Sequence, residues 1–262
     1  MANVLITGAS SGIGKEFARA FAKRGFDLIL VARSLDRLEE LKQELKKDKQ
    51  INVELFNIDL SLEGSPEKLY EFCKENNLDV SILVNNAGFG DFGEFAEGDL
   101  NKYKNMIDLN DKTLMTLTYL FVKDMKENHF GRIINVASIA AFMPGPFMAV
   151  YYASKAFVLS FSLALKEELK YDNIKLTVLC PGPVKTEFWD RAGVKMNSLK
   201  DKMLARSPKD VVKTAMKAFD NNKDVVIDGF FNKAAVSASH IFGDKMAAKT
   251  VAKIQSKLTD EK

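Results

Sequence analysis

The chain has 262 residues, 47% of them apolar and 28% charged, and its 38 basic and 35 acidic side chains leave a net charge of +3. That length suits one large α/β domain, and no basic block is interleaved with aromatics, which argues against a nucleic-acid partner. Cys73 and Cys180 are too few for a disulfide framework, and neither a leader-like opening nor a run of about 18 apolar residues appears, so a cytoplasmic protein with no membrane span is expected.

Short β-branched runs at residues 3–7, 27–32, 52–59, 79–85, 132–137, 175–180 and 224–227 predict strands. Most are nearly continuous apolar runs, as parallel strands covered on both faces require. Helix-length segments lie between them at residues 12–25, 35–47, 66–76, 100–126 and 153–171. Strand, helix and strand repeated in this way predict an α/β protein with a doubly wound parallel sheet and right-handed crossovers. A single domain is expected over residues 1–230, followed by a helical tail at 231–262. On such sheets ligands bind at the carboxyl ends of the strands, where the strand order reverses.

The first strand runs into Thr7-Gly8-Ala9-Ser10-Ser11-Gly12-Ile13-Gly14. Gly8 can take a tight turn, Gly12 has no Cβ to obstruct a pyrophosphate, and Gly14 lets the helix approach the sheet. The helix N-terminus then offers free N–H groups to phosphates, so the turn, with Ser10, Ser11 and Ile13, is a candidate nucleotide cradle. A glycine-rich turn without a ligand is the duller alternative.

Farther along, Ser138 follows a strand, and Tyr151 and Lys155 stand four apart on one helix face. Asn110 lies in the long helical segment before that strand. Taken singly these residues mean little: Tyr–Lys pairs at this spacing are usually surface pairs, and a serine after a strand is usually a cap. Two further motifs stand at strand ends, Asn85-Asn86-Ala87-Gly88 and Pro181-Gly182-Pro183-Val184-Lys185-Thr186. Together with Thr-Gly-x-x-x-Gly-x-Gly and Tyr-x-x-x-Lys, in this order, they resemble the short-chain dehydrogenase/reductase family over roughly residues 3–226.

That resemblance implies a Rossmann-type fold and a catalytic tetrad of Asn110, Ser138, Tyr151 and Lys155. Carbonyl reduction needs a hydride donor, an acid for the developing alkoxide and a group to hold the oxygen. Tyrosine alone has a pKa of about 10, and a neighbouring ammonium lowering it by three units supplies about 4 kcal/mol. By family analogy Lys155 also bonds the nicotinamide ribose, Ser138 donates to the substrate oxygen, and Asn110 organises a proton-relaying water. The resemblance further implies that Asn86, Ala87 and Gly88 flank the cofactor, that Pro181, Gly182, Val184 and Thr186 cover the nicotinamide, and that Asp59 contacts adenine. Tyr152, only three residues from Lys155, is assigned to packing or to the pocket wall.

An enzyme preferring NAD usually carries a carboxylate after the second strand. Here Ala32 is followed by Arg33 and Ser34, which suits the 2′-phosphate of NADP. Phe89, Phe92, residues 139–143, Phe147, Met148, Phe188 and Trp189 would give an apolar pocket suited to a hydrophobic carbonyl or alcohol. Residues 186–207 read as a substrate-covering segment. The tail places Val236, Ile241, Phe242, Met246, Val251 and Ile254 among lysines, unlike the short closing strand common in the family's tetramers; packing on the body or on a partner subunit is expected ahead of a membrane contact. A homo-oligomer, dimer or tetramer, is expected. A nucleotide sensor without catalysis and an isomerase or dehydratase of the wider superfamily remain open, whereas His129 and His240 form no metal-ligand cluster.

Overall fold

The computed structural model describes residues 3–48, 50–194 and 205–259. Among the described residues seven strands form one sheet: β1 Asn3–Thr7, β2 Asp27–Ala32, β3 Val53–Asn57, β4 Val80–Asn85, β5 Gly131–Val136, β6 Ile174–Cys180 and β7 Val225–Ile227. All pair in parallel, in the order β3-β2-β1-β4-β5-β6-β7. The order reverses between β1 and β4, so the turns after these two strands open the crevice in which such sheets bind ligands.

Alternate residues of each strand face opposite layers. Val4, Ile6, Leu28 and Leu30 pack with Phe17 and Phe21 of α1 (Gly12–Lys23), Leu38 and Leu41 of α2 (Leu35–Asp48) and Phe219 of the helix Pro208–Asp220. Leu5, Ile29 and Val31 pack on the other face with Leu69 of α3 (Ser65–Glu75), Leu117 and Phe121 of α5 (Leu114–Glu127) and Val158 of α6 (Ala149–Glu168). Between α3 and α5 stands α4 (Leu100–Ile107). A short α7 (Phe188–Arg191) precedes the Pro208–Asp220 helix, now α8, and α9 (Phe230–Phe242) and α10 (Asp244–Thr259) close the chain.

Three expectations need correction. The helix expected over residues 100–126 is α4 and α5 joined by one π-helical stretch, Asp108–Thr113, whose wider turn carries Asn110. The third strand is shorter than residues 52–59 and leaves Asp59 beyond its end, free to bond Ser61. The tail is a helical hairpin broken at Gly243, whose φ of +74° is left-handed. Residues 195–204 of the expected covering segment lie outside the described residues. No helix among the described residues is long and apolar enough to cross a membrane.

Candidate active site

The turn after β1 is held by its neighbour. Thr7 Oγ1 accepts from the backbone N–H groups of Asn86 and Ala87, both at 3.0 Å. Asn86 Nδ2 donates back to the carbonyls of Thr7 and Gly8 at 2.9 and 3.2 Å. Gly8 and Gly12 both have positive φ, +66° and +54°. A methyl group on Gly14 would run into the carbonyl oxygen of Gly8, which accounts for glycine in the first turn of α1. Ser11 makes no side-chain cap, so its hydroxyl does not compete for the N–H groups at that helix end.

This turn lines a cleft of about 920 Å³. Eighteen of the twenty residues singled out above line it: Gly8, Ser10, Ser11, Gly12 and Ile13; Arg33, Ser34 and Asp59; Asn86, Ala87 and Gly88; Ser138, Tyr151 and Lys155; and Pro181, Gly182, Val184 and Thr186. Gly14 and Asn110 stand behind the wall. A nucleotide fits the donor set, because the cradle is backbone N–H and glycine while the rim beyond β2 carries a guanidinium. That guanidinium, Arg33, is 68% exposed and lies 3.4 Å from Asp59.

In the same cleft, Ser138 Oγ accepts from the N–H of Ala140 at 3.1 Å and donates to the carbonyl of Pro181 at 3.4 Å. Ser138 is therefore both the cap of a short 3-10 turn and a cleft-lining hydroxyl. Burial pushes the Tyr151 phenol well above its ordinary range, and a hydrogen bond with Ser138 works against that rise. Lys155 Nζ donates to the carbonyl of Val136 at 3.0 Å and stands 5.9 Å from the centre of the Tyr151 ring. Burial lowers the lysine to about 8, with Asp111 opposing. Desolvation is thus the dominant influence on the phenol, ahead of the Ser138 bond.

Asn110 is held by its neighbours. Its Oδ1 accepts from the N–H of Phe89 at 3.1 Å, and its Nδ2 donates to the Phe89 carbonyl and to Ser154 Oγ, both at 3.0 Å. A methyl on Gly88 would stand 2.9 Å from Asn110 Oδ1 and 3.4 Å from Lys155 Nζ, so this glycine lets both groups approach the cofactor side of β4. Gly90 does the same for the apolar end: its methyl would meet Phe188 at 2.7 Å and Tyr151 at 3.2 Å.

Phe92, Met148 and Val194 form a third apolar cluster, joined by Phe147, Tyr151, Tyr152, Phe188 and Trp189. Of the expected apolar wall, Phe89, Ile139, Ala140, Met148, Phe188 and Trp189 line the cleft, while Phe92 and Phe147 back it. Tyr152 lines it too, and its hydroxyl accepts from Gln255 Nε2 of α10 at 3.1 Å. The tail thus reaches the site, which sequence reasoning missed because the two residues are 103 positions apart.

A second missed feature crosses the cleft mouth. Arg37, in the first turn of α2, donates to both carboxylate oxygens of Glu187 at 2.8 and 2.9 Å, and Arg191 adds a bond at 2.7 Å. Next to Glu187, the Thr186 methyl would lie 3.0 Å from a Cβ on Gly12. The segment after β6 therefore straps the glycine turn.

Sheet order, crevice and cradle define the class: a doubly wound α/β protein of the nucleotide-binding type. The short chain dehydrogenase family matches residues 2–197. A dehydrogenase/reductase SDR family protein 7-like from Dictyostelium discoideum is 37% identical over 193 residues, covering 71% of this chain and 60% of the relative. Human 17-beta-hydroxysteroid dehydrogenase type 3 is 34% identical over 187 residues, covering 70% of this chain and 59% of that protein. The chain thus matches about 60% of the length of these curated relatives. A solved structure of a short-chain dehydrogenase from Sphingobium yanoikuyae in complex with NADPH superposes with a TM-score of 0.82 at 34% identity, covering 87% of each chain. The chain belongs to the short-chain dehydrogenase/reductase family.

Proposed function

We propose that the protein is an NADP(H)-dependent oxidoreductase that interconverts an apolar ketone or aldehyde and its alcohol, with Tyr151 as general acid and base. One observation carries the reading: Ser138, Tyr151 and Lys155 line a single cleft together with the glycine turn and the apolar side chains Phe89, Met148, Phe188 and Trp189.

The residues that would hold the dinucleotide are Gly8, Ser10, Ser11, Gly12 and Ile13 at the pyrophosphate, Arg33 and Ser34 at the 2′-phosphate, and Asp59 at adenine. Asn86, Ala87, Gly88, Lys155, Pro181, Gly182, Val184 and Thr186 would serve the nicotinamide half. When bound, NADPH supplies the hydride. This chain's own groups do the rest. Ser138 Oγ exchanges its long bond to Pro181 for one to the substrate oxygen, where donation is worth more as charge develops. Tyr151 is held protonated by burial and gives its hydroxyl proton to the alkoxide. Lys155 is on hand to stabilise the phenolate left behind, and Asn110 fixes the Phe89 backbone beside it. Phe188, Trp189 and Met148 exclude water from the reacting carbon.

The NADPH bound to the similar Sphingobium enzyme supports the nucleotide choice, and the steroid substrate class of the human relative supports an apolar substrate. Self-association belongs to the same proposal, supported by Tyr119 of α5 and Phe157 of α6 on the surface, and light scattering reads it. The deciding experiment follows NADPH and NADH oxidation by the purified protein against a panel of aldehydes and ketones, with Tyr151→Phe alongside. Turnover that Tyr151→Phe abolishes supports the reading. Nucleotide binding with no turnover on any carbonyl would favour a nucleotide sensor.

A further inference from the structure

The closing hairpin turns a broad apolar face to solvent. On α9, Phe230, Phe231, Ile241 and Phe242 are 80%, 76%, 77% and 62% exposed. At about 100° per residue these four, with Ala234 and Ala235, fall within an arc of about 140°. The opposite side of the helix holds it to the body: Val236 and Ser239 are buried, and Ser239 Oγ and His240 meet Phe142. On α10, Val251 and Gln255 are buried while Met246 and Ile254 are exposed. Four large apolar groups on the outer side of one short helix exceed what scattered surface residues need explaining, and mark a surface with a partner.

Charge says which partner. Six of the chain's 38 basic side chains and three of its 35 acidic ones lie in residues 230–262, so the rest of the chain is balanced and the whole net charge of +3 sits in this segment. Lys233, Lys245, Lys249 and Lys253 are exposed, and among the described residues none of the four is in an ion pair. A second copy of the same face would bring like charges together. An anionic surface that also accepts aromatic rings would satisfy both features, which is the chemistry of a bilayer interface carrying acidic headgroups.

We propose that α9 and α10 form a lipid-docking surface that seats the protein on anionic membranes. The aromatic residues enter the headgroup region and the lysines meet the phosphates. Each lysine held near such a surface raises partitioning by about fivefold. The hairpin also supplies Gln255 to the cleft, so docking brings a lipid phase to the same element that borders the apolar pocket. If the carbonyl-reductase reading holds, a substrate dissolved in the bilayer has a short path to Tyr151.

The test is flotation of the full chain, without nucleotide, on vesicles of phosphatidylcholine and on vesicles of phosphatidylcholine mixed with phosphatidylglycerol. Binding to the mixed vesicles, weakened by salt, is expected. Phe231→Ser with Phe242→Ser, and separately Lys245→Glu with Lys249→Glu, should each lower it by about tenfold or more at unchanged melting temperature. Both pairs are exposed, and neither touches the cleft. No binding to mixed vesicles, or binding that both variants retain, would overturn the proposal. So would an oligomer that the phenylalanine pair converts to monomer, because the face would then be a protein interface. The measurement needs no substrate, so failure of the enzymatic reading leaves it standing.

Discussion

Asp111 is the acidic group that opposes the desolvation of Lys155, and Lys155 in turn is the charge that opposes the desolvation of Asp111. The two belong to neighbouring elements, the π-helical stretch and α6. Asp111 Oδ1 is buried with no hydrogen-bond partner among the described groups, and burial raises its carboxyl to about 7. A carboxyl raised in the folded state binds more protons there than in the unfolded chain. Its contribution to stability is present below the ordinary carboxylate range and is lost as pH rises toward 7. Asp111→Asn abolishes that loss. The melting temperature of the variant relative to the unmodified protein should therefore climb between about pH 4 and pH 7 and level off above. Thermal melts across that range check it; a difference that does not vary with pH would place Asp111 in an ordinary, solvated setting.

The Tyr151 assignment separates from its neighbour. Tyr151→Phe should lower kcat by several orders of magnitude with NADPH affinity within a few-fold, whereas Tyr152→Phe loses only the bond from Gln255 and keeps most of its turnover. Lys155→Met should damage both kcat and nucleotide affinity. Steady-state kinetics with fluorescence titration of NADPH reads all three. Activity lost only in Tyr152→Phe would shift the proton donor by one residue.

Gly88→Ala tests the approach of Asn110 and Lys155 directly. The added methyl meets Asn110 Oδ1 at 2.9 Å and Lys155 Nζ at 3.4 Å, and both belong to groups held by other bonds. Overpacking of this kind costs about 1–3 kcal/mol. Here it should displace the lysine, with kcat falling at least tenfold and the melting temperature by only a few degrees. Unchanged kcat would show that the lysine position is not critical.

The proposed preference for NADP rests on Arg33. A charge-assisted bond to the 2′-phosphate is worth about 1.5–3 kcal/mol at best, and the exposure of this guanidinium and its contact with Asp59 place it toward the low end. Arg33→Ala should cost about tenfold in KM for NADPH and leave NADH almost unchanged. Adding Ala32→Asp should turn the preference toward NADH. Equal use of both nucleotides by the unmodified protein would return Arg33 to the role of a surface charge.

The apolar end makes a graded prediction. Within one series of ketones kcat/KM should rise about fourfold per added methylene until the pocket is full, from roughly 0.8 kcal/mol per buried group. Gly90→Ala, whose methyl meets Phe188 and Tyr151, should end that rise at a shorter chain. A flat series, or preference for polyhydroxylated compounds, would show that Phe188 and Trp189 only pack.

What could be read from the sequence was what repeats locally. Strand runs, the glycine turn and the Tyr151–Lys155 spacing each depend on neighbours within a few residues; the strands lie within a residue or two of the expected runs, with β3 stopping at Asn57. The π-helical stretch was not legible, because one residue inserted into a helix leaves the apolar spacing of Leu114, Leu117 and Phe121 intact. The Arg37–Glu187 strap joins residues 150 apart, and its partners look like any surface charges in the sequence. The break of the tail at Gly243 was not foreseen, and nothing local says that Val236 turns inward while Ile241 and Phe242 turn outward.

The position of β1 bears on how the protein is made. It is the first strand in the chain and stands third of seven in the sheet, between β2 and β4. Its Val4-Leu5-Ile6 run pairs on one side with residues 28–30 but on the other with Ile82, Leu83 and Val84. During translation this apolar strand therefore waits, with one row of backbone groups open, until nearly eighty further residues have left the ribosome. An unpaired edge of that composition can recruit other chains, so slow elongation through α2 and α3 should lower soluble yield, and a chaperone that shields short apolar strands should restore it.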